Sequence, residues 1–370
     1  MAISSIFLSS FRNHQEKKIN FCKGLTVIWG ENGSGKTSVL EAIHTLSLGK
    51  SFRTHMQKTL IKNGEDGFLI KGHFLSKKKE NVIATQLIKK GAQQTKINGK
   101  KITTRKSLIG KNNVVLLSPE EQSITKGGPL ERRKFFDKLF SVTSFYYMDV
   151  LQKYNRALKQ RNAALLSVAT EQVSKEVFLG WDEKLSEYGS KLWENRLSLM
   201  GEFRSEIQSA VNRYKGEINL DLEYNQPETS DKKYIEKLLK NRDKDIKHKT
   251  TTFGPHRDSV LVTLNNKDLR PFGSQGEHKI ALVILKIAEV LFIKNKTGEY
   301  PMLLLDDVFA KLDLTRSKKL VWLINNLEAD SGDQLQTIVT TTDIIDIKNS
   351  GMFDLDRETI THHLKRKCST

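Results

Sequence analysis

Cysteine is almost missing from this chain. Only Cys22 and Cys368 occur among 370 residues, too far apart in sequence to frame a disulfide scaffold or a zinc site. That usage suits a reducing compartment, and a cytoplasmic location is the expectation. Long apolar runs are lacking too, so no stretch approaches a membrane span. The opening Met1-Ala2-Ile3-Ser4-Ser5-Ile6-Phe7-Leu8 has no basic start and an apolar stretch too short for a secretory signal. No internal repeat, low-complexity tract, helix-turn-helix or zinc-finger pattern is visible. Acidic residues are few beside basic ones, 43 against 61, which leaves a formal net charge of +18. Such a surplus points to a polyanionic partner. The length leaves room for two or three domains and a sizeable core.

What is present is more specific. Gly30-Glu31-Asn32-Gly33-Ser34-Gly35-Lys36-Thr37 fits G-x-x-x-x-G-K-[ST], the phosphate-binding loop. An apolar, β-rich segment at 25–29 precedes it, and residues 38–46 carry apolar side chains at helical spacing. The motif requires that strand–loop–helix context. Its glycines let backbone N–H groups approach phosphate oxygens, at the positive end of the new helix. Lys36 supplies a point charge for the β- and γ-phosphates, and the Thr37 hydroxyl suits Mg²⁺. Nucleotide binding is the expectation.

Periodicity divides the chain into parts spanning 1–118, 119–249 and 250–370. The first reads as strands at 4–11, 25–29, 67–74, 81–87 and 113–117, with a Lys77-Lys78-Lys79 turn and a hairpin at Asn98-Gly99. The second is helical. Tyr147, Leu151, Tyr154 and Leu158 form one stripe, and Trp193, Leu197, Met200, Ile207, Val211 and Tyr214 a second. Stripes at this spacing read as core. The charged run 231–249 reads as a solvated face or linker. The third part returns to α/β, with strands at 259–264, 301–305 and 336–340 and an apolar helix at 279–293.

Met302-Leu303-Leu304-Leu305-Asp306-Asp307 is an apolar run ending in two carboxylates. Such a run suits a strand buried on both faces of a parallel sheet, with its carboxyl end where ligands bind. Asp306 is expected to orient Mg²⁺, and Asp307 to polarise the attacking water. Ser274-Gln275-Gly276-Glu277 opens the apolar helix. Small residues and a hydroxyl there suit a second anion site, and equally a plain helix cap.

Together these features resemble the ABC-type ATPase heads of the SMC-like class. Finer motifs resemble its bacterial DNA replication and repair branch. They are Phe11-Arg12-Asn13, Glu41-Ala42-Ile43, the stretch from Ser47 to Arg53, Ser118-Pro119-Glu120, Lys126-Gly127 and Arg132-Arg133. Further on come Gln160-Arg161-Asn162, Gly254-Pro255-His256-Arg257-Asp258 and Asp306-Asp307-Val308-Phe309. The resemblance implies an α/β, ABC-type P-loop ATPase head with a mixed β-sheet core and an inserted, mainly helical second domain. It implies ATP and Mg²⁺ as cofactors and an ATP-dependent homodimer with the nucleotides between two copies. The 30–37 loop of one copy would meet Ser274, Gln275 and Gly276 of the other, and Asp313 would lie in the loop that crosses between them. Lys36 and Asp307 would carry a weak, DNA-stimulated ATPase. Single-stranded, gapped or junction DNA, RecR and RecO are the implied partners, with recombinase loading at gaps as the outcome and no membrane involvement.

Some positions depart from the pattern. Glu277 stands where the signature usually has Gln, Asp307 where transporters place Glu, and Thr340-Thr341-Thr342-Asp343 where they place a switch histidine. The last two suggest slow turnover. These departures, the helical insertion and the incomplete signature argue against a transporter ATPase subunit. A small-molecule P-loop kinase would need a lid and acceptor pocket that no segment supplies. His256 and Arg257 read at least as well as a structural turn. Basic clusters at 77–79, 89–90, 100–101, 132–134, 153–161 and 232–249 would meet DNA mainly through phosphate, with little sequence preference.

Overall fold

The computed structural model describes residues 1–76, 79–170, 175–214, 218–224, 230–331, 334–354 and 356–366. Lys77, Lys78 and Cys368 lie outside the described residues. Two compact units form: one from Met1–Gln122, Ala210–Gly216 and Leu282–Thr370, the other from Ser123–Ser209 and Glu217–Ala281.

The first unit holds two sheets. One is antiparallel, ordered His14–Asn20, Ala2–Phe11, Gly67–Leu75, Glu80–Ile88, Gln94–Ile97, Lys100–Ile102. Its strands alternate in burial: in Gly67–Leu75 the residues Phe68, Ile70, Gly72 and Phe74 face inward. Asn98 and Gly99 both have positive φ, 50° and 81°, as the expected tight hairpin requires. The other sheet is wholly parallel, ordered Thr359–His363, Leu25–Trp29, Thr337–Thr341, Met302–Asp306, Val114–Leu117. Met302–Asp306 is buried throughout, as an apolar strand covered on both faces must be. The helix Lys36–Leu48 contacts strands of both sheets. Every residue of it except Thr37 is buried, its polar side chains Glu41, His44 and Thr45 each meeting a protein hydrogen-bond partner. The fold is α/β, and its mixed character comes from one antiparallel and one parallel sheet.

The second unit contains the helices Pro129–Thr143 and Phe145–Ala169, most of Leu179–Tyr214, and a small antiparallel sheet ordered Lys267–Asp268, Val260–Leu264, Leu220–Tyr224. Its limits fall elsewhere than the expected 118/119 and 249/250. Val260–Leu264 pairs with Leu220–Tyr224 instead of joining the parallel sheet, and this keeps residues 250–281 in the second unit.

The helical stripes need correction. Tyr147 and Tyr154 are buried, but Leu151 and Leu158 are only half-buried, and the inward face runs on through Ala157, Arg161 and Leu165. Leu197 is 48% exposed. Its neighbour Arg196 takes the inward place and donates to Asp258 at 2.7 Å, Asp137 at 2.9 Å and the Tyr147 hydroxyl at 3.1 Å. The charged run 231–249 is not a linker. It forms the helices Asp231–Lys240 and Arg242–His248, with Tyr234, Leu238 and Asp245 buried.

His256 proves structural. Its Nε2 lies 2.9 Å from the Thr251 carbonyl, so that nitrogen carries the proton and donates. Its Nδ1 therefore accepts from the Tyr154 hydroxyl at 2.6 Å. Burial pushes the imidazole down from 6.5 to about 4. Above pH 6.5 the ring is neutral whether folded or not. Below it, the unfolded chain binds a proton that the native state refuses until about pH 4. Stability should therefore fall as pH drops through that window, by about 3 kcal/mol in total. Urea unfolding from pH 7 to pH 4 checks this. His256→Gln should make the slope shallower than the parent's, and an unchanged slope would contradict the assignment.

Candidate functional site

The Leu25–Trp29 strand ends at the 30–35 loop, which feeds the helix Lys36–Leu48. Two glycines have no substitute here. Gly30 has φ 146°, and a Cβ on it would sit 2.1 Å from the Leu364 carbonyl oxygen. Gly35 has φ 96°, and its Cβ would sit 2.4 Å from His14 Nε2 and 2.7 Å from Asn13 Oδ1. That contact reveals a clamp. Asn13 Nδ2 donates to the Gly33 carbonyl at 2.8 Å, and His14 Nε2 lies 3.1 Å from the Gly35 carbonyl. Arg12 meets the buried Glu41 through two bonds of 2.8 and 2.7 Å. The turn between the first two strands thus holds the loop from outside.

Lys36 Nζ donates to the carbonyls of Gly30 at 2.7 Å and Glu31 at 2.9 Å. Burial lowers its pKa, and the nearby charges of Asp307 and Asp306 oppose that effect. Asp306, only 4% exposed, ends its strand beside the loop. Its Oδ1 accepts from Thr37 Oγ1 at 2.8 Å and Thr340 Oγ1 at 2.6 Å. Burial pushes its carboxyl up, the two hydroxyls pull it back, and the charges of Glu120 and Asp307 add to the rise. A cation there would relieve the repulsion. Among the described residues no group of three His, Cys, Asp or Glu side chains could hold a metal alone. One carboxylate and one hydroxyl, both hard oxygen donors, nevertheless fit Mg²⁺, which fills the rest of its shell with phosphate and water.

Asp307 follows with φ 51°, a left-handed conformation that Asp tolerates better than most residues. Its N–H is held by the Thr340 carbonyl at 3.1 Å and the Thr340 hydroxyl at 3.2 Å. A cleft of about 1110 Å³ opens over these groups, lined among others by Arg12, Asn13, Gly33, Lys36, Thr37 and Asp307. Its size suits a nucleoside triphosphate.

The remaining expected residues lie apart in sequence from this cluster. Asp313, exposed in the first unit, accepts from the Arg316 N–H at 2.9 Å and pairs with the Arg316 side chain. The bond from that N–H is the main cause of its lowered pKa. Ser274, Gln275 and Gly276 belong to the second unit, where Ser274 and Gln275 are exposed. The Ser274 N–H donates to Glu277 Oε2 at 2.7 Å, and Ser274 Oγ accepts from the Glu277 N–H at 3.2 Å. This is a reciprocal cap. The bond from the Ser274 N–H also lowers the Glu277 pKa. The carboxylate that replaces the usual Gln is thus engaged with its own helix start.

Sequence reasoning missed Asn13, His14 and Thr340 as parts of the site. Asn13 fell within a quoted motif, and Thr340 within the threonine run that follows the last core strand, but neither carried a role. The expected basic clusters also thin out on inspection. Arg161 and Arg132 are buried and bonded to protein groups. No described helix is long and apolar enough to cross a membrane.

The model of the RecF/RecN/SMC N terminal domain matches residues 2–354. The chain is 35% identical over 364 residues to the DNA replication and repair protein RecF of a Thermoanaerobacter species, covering 96% of this chain and 98% of that one. A solved structure of the recombination mediator protein RecF with ATP, from the RecFOR pathway, aligns at TM-score 0.84 and 32% identity, covering 92% of each chain. An Smc head bound to the C-winged helix domain of ScpA shares the fold at TM-score 0.55 and 18% identity, over 94% of this chain and 91% of that one.

Proposed function

The chain belongs to the RecF/RecN/SMC N-terminal domain family, and on that premise we propose that it is a DNA replication and repair protein of the RecF type, gated by ATP. The observation that carries this reading is the 2.8 Å bond from Thr37 to Asp306, which joins the phosphate loop to the acidic strand end where Mg²⁺·ATP would lie. The backbone of residues 30–35 cradles the phosphates, and Lys36 turns from the loop carbonyls to the β- and γ-phosphates. Thr37 and Asp306 would hold Mg²⁺, which would supply positive charge against the phosphates. Asp307, fixed by Thr340 in its left-handed conformation, holds the attacking water. Its short side chain suits slow turnover, with hydrolysis used as a switch.

Ser274, Gln275 and Gly276 serve the nucleotide of a second copy, and Asp313 lies at the crossing. The Ser274 hydroxyl accepts within its own cap and keeps its proton to donate to a γ-phosphate. Charge-assisted bonds of this kind contribute about 1.5–3 kcal/mol each, enough in number to switch a dimer on and off. The net charge of +18 suits gapped, single-stranded or junction DNA, held mainly by phosphate. DNA would stimulate the ATPase, RecR and RecO would be protein partners in the cytoplasm, and recombinase loading at gaps would be the outcome.

Sedimentation with and without ATP, on gapped and fully duplex DNA, tests the reading. The unaltered chain should dimerise with ATP. Ser274→Arg should bind ATP with affinity within about threefold of the parent and stay monomeric. Normal ATP-dependent dimerisation of that variant would overturn the shared-nucleotide arrangement.

A further inference from the structure

Beside the phosphate loop lies a second, smaller pocket of about 250 Å³. It shares Asn13, Gln15 and Gly33 with the nucleotide cleft, but neither Lys36 nor the acidic strand end lines it. Three segments of the first unit meet there: the strand His14–Asn20, the loop at Gly33 and Ser34, and residues 364–366. The last segment is tied down where the loop begins. The Leu364 N–H donates to the Trp29 carbonyl at 2.8 Å, and the Leu364 carbonyl fills the space that a side chain on Gly30 would need.

Three cations, Lys17, Lys365 and Arg366, line this pocket against one carboxylate, Glu16. Among the described residues none of the three has a hydrogen-bond or ion-pair partner. Lys17 is the most telling. It stands opposite the fully buried Leu8, and residues opposite one another point to the same face. An ammonium on an inward-facing place is costly without an anion to answer it. Lys17 is half-buried, as a packed stem with its charge kept at a cavity requires. Ser34, 5% exposed, lines the same pocket, and its hydroxyl has no partner among the described residues. Ammonium, guanidinium and hydroxyl all donate, which suits an oxyanion.

We propose that this pocket is a second phosphate site, in which Lys17, Lys365 and Arg366 hold one phosphate group, carried by a nucleic-acid backbone or by a free oligophosphate. Arg366 supplies a planar fork of donors, and the two lysines supply point charges. The pocket is smaller than the usual ligand cleft, which suits a single phosphate group. Asn13 and His14 wall it and also clamp the loop through the Gly33 and Gly35 carbonyls, so a phosphate held here abuts the mount of the nucleotide site. For a nucleic-acid phosphate the inference rests on the DNA-binding reading and goes beyond it by giving that ligand a place.

A pocket variant combines Lys17→Met, Lys365→Gln and Arg366→Gln, the methionine keeping the half-buried stem. The reference loses three exposed lysines elsewhere in the same unit, through Lys111→Gln, Lys318→Gln and Lys348→Gln. With a saturating non-hydrolysable ATP analogue in the cleft, labelled single-stranded DNA is titrated by anisotropy over a salt series, and inorganic pyrophosphate by calorimetry. A backbone phosphate predicts DNA affinity about tenfold weaker in the pocket variant than in the reference, with a log–log salt slope shallower by about one. A free oligophosphate predicts pyrophosphate binding that the reference keeps and the pocket variant loses. Both variants should bind the ATP analogue within about threefold of the parent, and Lys365→Gln with Arg366→Gln carries the test should the triple variant fail to fold. Pocket and reference variants that match each other with both probes would overturn the site. If the unaltered chain binds no DNA, the DNA-binding reading fails, and pyrophosphate alone decides the pocket.

Discussion

Lys36→Met is expected to lose nucleotide affinity by about a hundredfold or more. The ammonium is the cation within the phosphate loop, and it stands 2.7 and 2.9 Å from the loop's own carbonyls. Facing a triphosphate, it would exchange those bonds for charge-assisted ones, each about twice as strong as a neutral bond. Two such bonds at about 1.5–3 kcal/mol each amount to at least two powers of ten in affinity. Methionine has nearly the same length and leaves the packing around the loop filled, so the loss should appear in binding more than in stability. Titration calorimetry with ATP and Mg²⁺ decides the matter. An affinity within a few-fold of the parent would mean that the loop's backbone alone holds the nucleotide.

The largest effect on stability is expected from Arg161→Met. Arg161 is fully buried, and its guanidinium reaches Asp182 at 2.6 Å, Asp245 at 2.7 Å and the Thr251 hydroxyl at 2.8 Å. Arg242 adds a second contact to Asp182 at 2.8 Å. Removing Arg161 takes the ion pair from the buried Asp245 carboxylate and leaves it with the Thr252 N–H and hydroxyl, at 2.9 and 2.6 Å. Breaking a buried pair from one side costs about 3–5 kcal/mol. Urea unfolding followed by tryptophan fluorescence is a suitable probe, because Trp181 and Trp193 belong to the same unit. The midpoint should drop markedly, and replacing Asp182 and Asp245 by Asn as well should recover part of the loss. An unchanged midpoint in the single variant would show that these ion pairs add no net stability.

The phosphate loop was legible because its chemistry lies in eight consecutive residues, with a strand before and a helix after. Asp306 was legible for a similar reason: four apolar residues run straight into it. Arg196 was not. A periodic search looks for apolar residues, and it chose Leu197, one position away. The fold instead turns Arg196 inward, because Asp137 and Asp258 arrive from distant segments to meet it. In the run 231–249 the expected solvated face is there, most of its charges being exposed, but the alternative of a linker is not. Its charges outnumber its apolar residues, yet Tyr234 and Leu238 suffice to seat a helix, and Asp245 is buried because Arg161 awaits it.

The sequence by itself determined the phosphate-binding loop, the order of strands and helices around it, and the net positive charge. These depend on local spacing and on composition, which neighbouring residues carry among themselves. Only the tertiary structure decided that Asn13 and His14 brace the loop, that Thr340 bonds Asp306, and that Val260–Leu264 pairs away from the parallel sheet. Each of these needs two segments separated by tens to hundreds of positions to meet. Which distant strands become neighbours is settled by the packing of the whole core, and no single stretch of chain contains that information.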